Sequence, residues 1–352
     1  MMPEEWPVDA PRRGSSAGPN APARLSGRGR LATVRRDFFL DENGRLTEQE
    51  RALMTAMLNC LVGDVADELR AALPAGWAGA NDGDNYRLTE RLKTSGLLDD
   101  EELLALLLRR AEEERVAIAA RSRASRREAR VLQGLVSHDN GPAAAAAMAL
   151  VLARGRRRDR LGQCLATFDD LPRSAAERLA RRIAAALRGD LVATHGPAAS
   201  DEALARVATA RAAAHDPEQS LEALTNELVA LLDSAGRLDD GLLLSAAAEG
   251  EIAFLATALA RRAGIGPLTA AEELMSQDPA RAMALLRMGG ASRDFAAGLV
   301  AGCGDVLALD SDGRAIECFD SMTATDVEAA RAWLLADDEY RAALDRLEDR
   351  RG

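Results

Sequence analysis

One helical grammar recurs from Leu46 almost to the end of this chain. A small polar residue or a proline opens a segment, roughly ten to fifteen helix-favouring residues follow, and a short break closes it. Thr47, with Glu50 three residues on, has the pattern of a capping box. The stripe Leu53, Met57, Leu61, Val65 and Leu69 follows it, and Pro74 marks the end. Short and long helices are then predicted over "YRLTERLKTS" and from about Asp100 to about Ser122. Further starts are read at Asn140-Gly141-Pro142, Ser174 with Glu177, Ser200 or Asp201, Asp216-Pro217, Thr269 with Glu272, Asp278-Pro279, Ser292 and Thr323. About twelve to fourteen helices are expected, and no stretch alternates apolar and polar residues as a strand would.

Composition supports an all-α chain. Hydrophobic residues make up 47% of the 352 positions, enough to bury a core, but only 3% are aromatic. The core must come from Leu, Ala, Val and Met, which suit close helix packing better than sheets.

Two stretches read almost alike, "SGLLDDEELLALL" (95–107) and "AGRLDDGLLLSAA" (235–247). Gly96 fits a left-handed helix end, Asp99 an N-cap, Glu102 the acid of a capping box, and Leu98 with Leu103 a hydrophobic staple. The second copy keeps Gly236, Leu238, Asp239 and Leu243. Aspartates set in a staple at both sites are helix joints rather than paired acid/base or metal groups. The interval would hold about three units of roughly 40–47 residues, the size of HEAT-like repeats. The expected architecture is an irregular HEAT-like α-solenoid of antiparallel helix pairs. Its parts are a disordered basic tail at 1–36, an N-terminal helical region at 37–125, a helical-repeat region at 126–322 and an acidic C-terminal cap at 323–352. The tail carries seven arginines against three acids.

The stretch "AGRLDDGLLLSAAAEGEIAFLATALARRAGIGPLTAAEELMSQDPARAMALLRMGGASRDFAAGLV" (235–300) resembles an uncharacterised bacterial family, domain of unknown function 2336. "LTEQERALMTAMLNCLVGDVADELRAAL" (46–73) is similar to the opening helix of its members, so the resemblance runs over about 37–320. It implies an alphaproteobacterial, cytoplasmic protein with a HEAT-like helical fold. It brings no activity and no site residues.

Chemistry-bearing motifs are few. "DENGRLTEQE" (41–50) looks like a calcium loop, but Phe39 stands where the first carboxylate is needed, so a turn and capping box are expected. "LDSDGR" (309–314) is likewise a turn, with Phe319 where the closing glutamate would be. His138, His195 and His215 all sit at helix joints, and none has a ligand-spaced partner. Cys60, Cys164, Cys303 and Cys318 are far apart and read as reduced, mostly buried thiols. No nucleotide, hydrolase or metalloprotease signature occurs. No enzyme, cofactor or metal is therefore expected. With no signal-like or membrane-spanning stretch, a cytoplasmic location away from membranes is expected.

Charge gives the best hint of binding. The net charge is −11, yet residues 121–160 hold ten arginines against Glu128, Asp139 and Asp159. These arginines are Arg121, Arg123, Arg126, Arg127, Arg130, Arg154, Arg156, Arg157, Arg158 and Arg160. Two helices in this region, packed antiparallel, would bring both clusters to one end. Lys93 is the single lysine, so arginine richness in part reflects composition. The expected role is a non-enzymatic scaffold or adaptor with a protein partner. The alternative is nucleic-acid binding through the arginines, although no aromatic residue interleaves them for base stacking. Residues 301–352 have the opposite sign, with thirteen acids against six arginines, which suits docking of a basic surface.

Overall fold

A computed structural model of the chain describes residues 47–77, 84–123, 131–137, 139–276, 278–307, 309 and 313–349. The tail at 1–36, residues 41–46 of the calcium-like stretch, His138 and residues 310–312 lie outside the described residues.

The described chain is all-helical, as composition and patterning predict. Sixteen α-helices and two short 3-10 turns are present among the described residues, with no strand. The helices are α1 (Glu48–Ala71), α2 (Asn85–Thr94), α3 (Glu101–Arg123), α4 (Val131–Val136), α5 (Gly141–Arg156), α6 (Arg173–His195), α7 (Pro197–Ala213) and α8 (Leu221–Ser234). They continue as α9 (Asp240–Ala248), α10 (Ile252–Ala263), α11 (Pro267–Leu274), α12 (Pro279–Met288), α13 (Arg293–Leu307), α14 (Arg314–Ser321), α15 (Ala324–Leu334) and α16 (Asp338–Asp349). No helix among the described residues is long and apolar enough to cross a membrane.

Most predicted caps form. Thr47 and Glu50 make the full capping box of α1, and Thr323 makes another with Asp326 at α15. Asn140, Asp239 and Asp278 accept from the first free backbone N–H groups of α5, α9 and α12. Ser292 accepts from Phe295 N–H at the start of α13.

Four starts differ from expectation. Helix α6 begins after Pro172, α7 at Pro197 and α11 at Pro267, each earlier than the Ser or Thr signal. At α7 and α11 the proline is the first helical residue, where its φ is already set for a helix and it has no N–H to leave unpaired, so the helix starts there. Ser174 instead donates to Glu102, and Glu177 pairs with Arg181. Ser200 lies within α7 and donates to Gly196 O, while Asp201 pairs with Arg188. Thr269 and Glu272 lie inside α11. Asp216-Pro217 opens a 3-10 turn (Pro217–Gln219), and Ser220 caps the helix that follows.

Short joints pack successive helices against each other, as in the pairs α4–α5, α6–α7 and α10–α11. This fits the expected irregular stack of helix pairs. The stack is interleaved, however. One apolar core is built from residues 54–111 together with 166–208. A second is built from Val116, residues 132–153 and residues 221–334. After α5 the chain returns to pack α6 on α1 and α2, and only then does α8 dock on α5.

Helix α3 runs through both cores. Its first half, Leu103 to Ala111, is buried with α1, and its second half meets α10 and α13. Gly250, at the α9–α10 joint, has a left-handed φ of 76°. A Cβ there would lie 2.7 Å from Ala117 Cα of α3, so glycine is needed for shape as well as for conformation.

Candidate interaction surface

Helix α5 has two unlike faces. Ala143, Ala146, Ala147, Leu150 and Ala153 are buried against α4 and α8. Met148 and Leu152, one turn apart on the opposite side, are 43% and 53% exposed. The alanine-rich sequence favours helix strongly, and its small side chains let α8 approach closely. Beyond Arg157 the chain turns around Asp159, whose carboxylate accepts from Leu161 N–H and Gln163 N–H at 2.8 Å each. The turn closes on a bridge between Arg158 and Cys164 and leaves Leu161 84% exposed.

Of the two arginine clusters, one residue of each meets at a shared carboxylate. Arg121 of α3 and Arg158 after α5 share Glu114, at 2.7 and 3.0 Å. That sharing places the end of α3 beside the end of α5. Several of these arginines are engaged within the chain. Arg157 is buried and grips Asp170 with both arms of its guanidinium. Arg154 pairs with Glu251. Arg156, Arg158 and Arg160 are exposed. Arg123 lies in the last turn of α3, and Arg126, Arg127 and Arg130 fall outside the described residues. Arg157 is thus a core residue rather than a surface contact, because Asp170 requires a counter-charge in a site without water.

Asp170 is the centre of an ionic seam between the two cores. Its side chain is fully buried. One oxygen accepts from Thr167 N–H and Thr167 O–H at 3.0 and 2.9 Å and from Arg157 Nε at 2.8 Å. The other accepts from Leu221 N–H and Arg157 Nη2 at 3.0 Å each, with Arg110 Nη2 at 3.6 Å. Arg110 is itself buried and reaches Glu222 at 2.7 Å and Glu113 at 2.8 Å, and Arg109 also holds Glu222. Burial alone would raise the Asp170 carboxyl. The charge of Arg110 and the hydrogen bonds from Arg157 outweigh burial and bring it down to about 2. Glu222 is likewise held below its ordinary value, with burial opposed by Arg110 and Arg109.

The seam joins α3, the end of α5, the Phe168–Asp170 turn and the start of α8, four segments far apart in sequence. Sequence reasoning did not single it out. One local signal existed, since Thr167-x-x-Asp170 has a capping-box spacing.

The remaining candidates are structural. His215 is buried, with Nε2 3.0 Å from Leu171 O and its ring edge-on to Phe168. His195 stacks on Trp77 at 4.0 Å. The four cysteines are free, but only Cys303 is fully buried, so the expectation of mostly buried thiols is too strong. Burial pushes the Cys164 thiol up to about 11, which leaves it protonated and unreactive near neutral pH. Among the described residues, no three His, Cys, Asp or Glu side chains group as a metal site.

No curated protein and no solved structure matches the chain. One family does match, over residues 91–335, so the match begins within α2 and leaves α1 outside it. With that match spanning more than half of its length, the chain belongs to the family described as "Uncharacterised protein conserved in bacteria (DUF2336)".

Proposed function

We propose that this chain is a non-enzymatic, cytoplasmic scaffold or adaptor that docks protein partners on the outer face of α5. The observation that carries this reading is the set of exposed apolar side chains Met148, Leu152 and Leu161 beside exposed Arg156 and Arg160. Apolar anchors rimmed by arginine are the composition that protein interfaces favour. Nucleic-acid binding through residues 121–160 is the weaker alternative. Arg121, Arg154, Arg157 and Arg158 all have carboxylate partners within the chain, which leaves less charge for phosphates.

Affinity capture from native cytoplasm tests the reading, comparing the full chain with a Met148→Asp/Leu152→Asp variant. A partner retained by the first and lost by the second is the expected result. Identical captured sets from both would overturn the assigned face. Salt-sensitive retention on DNA, lost with Arg156→Ala/Arg160→Ala, would favour the alternative.

A further inference from the structure

We propose that the face of α5 receives the C-terminal helix, α16, of a second copy of this chain. The inference rests on the reading of α5 as a docking face and names its occupant. The two surfaces are matched in charge. The sequence of α16 holds five acids against two arginines, whereas Arg156 and Arg160 lie exposed at the end of α5. Both surfaces also carry exposed apolar anchors. Tyr340 and Leu347 of α16 are 58% and 59% exposed and lie two turns apart, so they share one side of the helix. Met148 and Leu152 present the complementary pair on α5, with exposed Ala145 one turn earlier. A helix laid along α5 would cover these side chains and place its acids near the arginines, a helix-on-helix contact with a charged rim.

The contact joins different patches on the two copies, so it is head-to-tail rather than two-fold. That property gives a decisive test by complementation. Sedimentation equilibrium of the full chain should show a weight-average mass rising above the 37.4 kDa monomer as concentration increases, and falling back with added salt. A face variant, Met148→Glu/Leu152→Glu, and a tail variant, Tyr340→Glu/Leu347→Glu, should each stay monomeric. Mixed together they should form a heterodimer, because the mixture holds one intact face and one intact tail. All four positions are exposed, and circular dichroism of each variant checks that folding is retained. A full chain that stays monomeric throughout would overturn the proposal. So would assembly by either variant alone, or a mixture that stays monomeric. If the full chain is monomeric while capture of another protein still depends on Met148 and Leu152, the occupant is wrong and the docking face stands.

Discussion

At residues 92–104 and 232–244 the chain turns between helices in closely matching letters, and the two turns begin in the same way. Gly96 and Gly236 both take left-handed φ angles, 71° and 66°. Leu97 N–H returns to Leu92 O at 3.0 Å, and Arg237 N–H to Leu232 O at 2.9 Å, the six-residue closure of a Schellman end. The turns then diverge. In the second, Asp239 caps α9 by accepting from Leu242 N–H at 2.8 Å, with Leu238 and Leu243 buried as the staple. In the first, α3 starts one residue later, and Asp100 is the cap, accepting from Leu103 N–H at 3.4 Å. Asp100 rather than Asp99 thus stands directly before α3, and Glu102 binds Arg178 and Ser174.

What the two copies share is the tertiary role of the second aspartate. Asp100 is held by Arg178 and Arg182 of α6. Asp240 is held by Arg262 of α10 and by Ser292 N–H. Arginine holds the second carboxylate at both joints, whereas the cap is that same residue, Asp100, at the first and the preceding one, Asp239, at the second. A cap contributes about 1 kcal/mol, whereas losing one partner of a buried pair costs about 3–5 kcal/mol, so the tertiary contact decides.

Substitutions can break this comparison in order of expected size. The upper limit of arginine capture is set by Asp170, the most enclosed of these carboxylates. Asp170→Asn should destabilise by about 4 kcal/mol in urea unfolding at neutral pH, because buried Arg157 loses its counter-charge, while Arg110 keeps Glu222 and Glu113. Asp100→Ala should follow at roughly 3 kcal/mol, since it removes a cap and two guanidinium contacts together. Asp99→Ala leaves the Leu103 N–H contact and both guanidinium contacts of Asp100 in place and should cost less. Equal costs for the two in the same titration would mean that the capping assignment is wrong. At the second joint the order is milder. Asp240→Ala should cost about 1.5 kcal/mol, because its own carboxylate is more exposed than that of Asp100, and Asp239→Ala about 1 kcal/mol through the lost cap.

Acid unfolding sharpens the same comparison. The carboxyl of Asp170 is brought from an ordinary 3.8 to about 2, so the folded state holds its anion more tightly than the unfolded chain does. The stability this contributes, about 2 kcal/mol, is present above pH ~4 and is lost as pH falls from ~4 towards ~2. Asp100 and Asp240 move in the same direction, in each case with burial outweighed by their arginine partners. Stability should therefore fall steeply below pH ~4. Asp170→Asn should flatten that fall more than Asp239→Ala does, and equal slopes would show that the seam does not carry the acid sensitivity.

The sequence by itself determined the helical class, the joints at Gly96 and Gly236, and most of the helix starts. These depend on interactions within about four residues, such as Thr47 with Glu50 or Asn140 with Ala143, and neighbouring letters are enough to read them. Tertiary structure alone decided which aspartate caps α3, that Arg157 lies in the core while Met148 and Leu152 face outward, and that the chain weaves two cores around α3. Those outcomes depend on partners such as Asp100 with Arg178, or Arg110 with Glu222, that lie far apart in sequence. Charged residues of one type look alike along the chain. Only the fold determines which of them lose water and so must be paired.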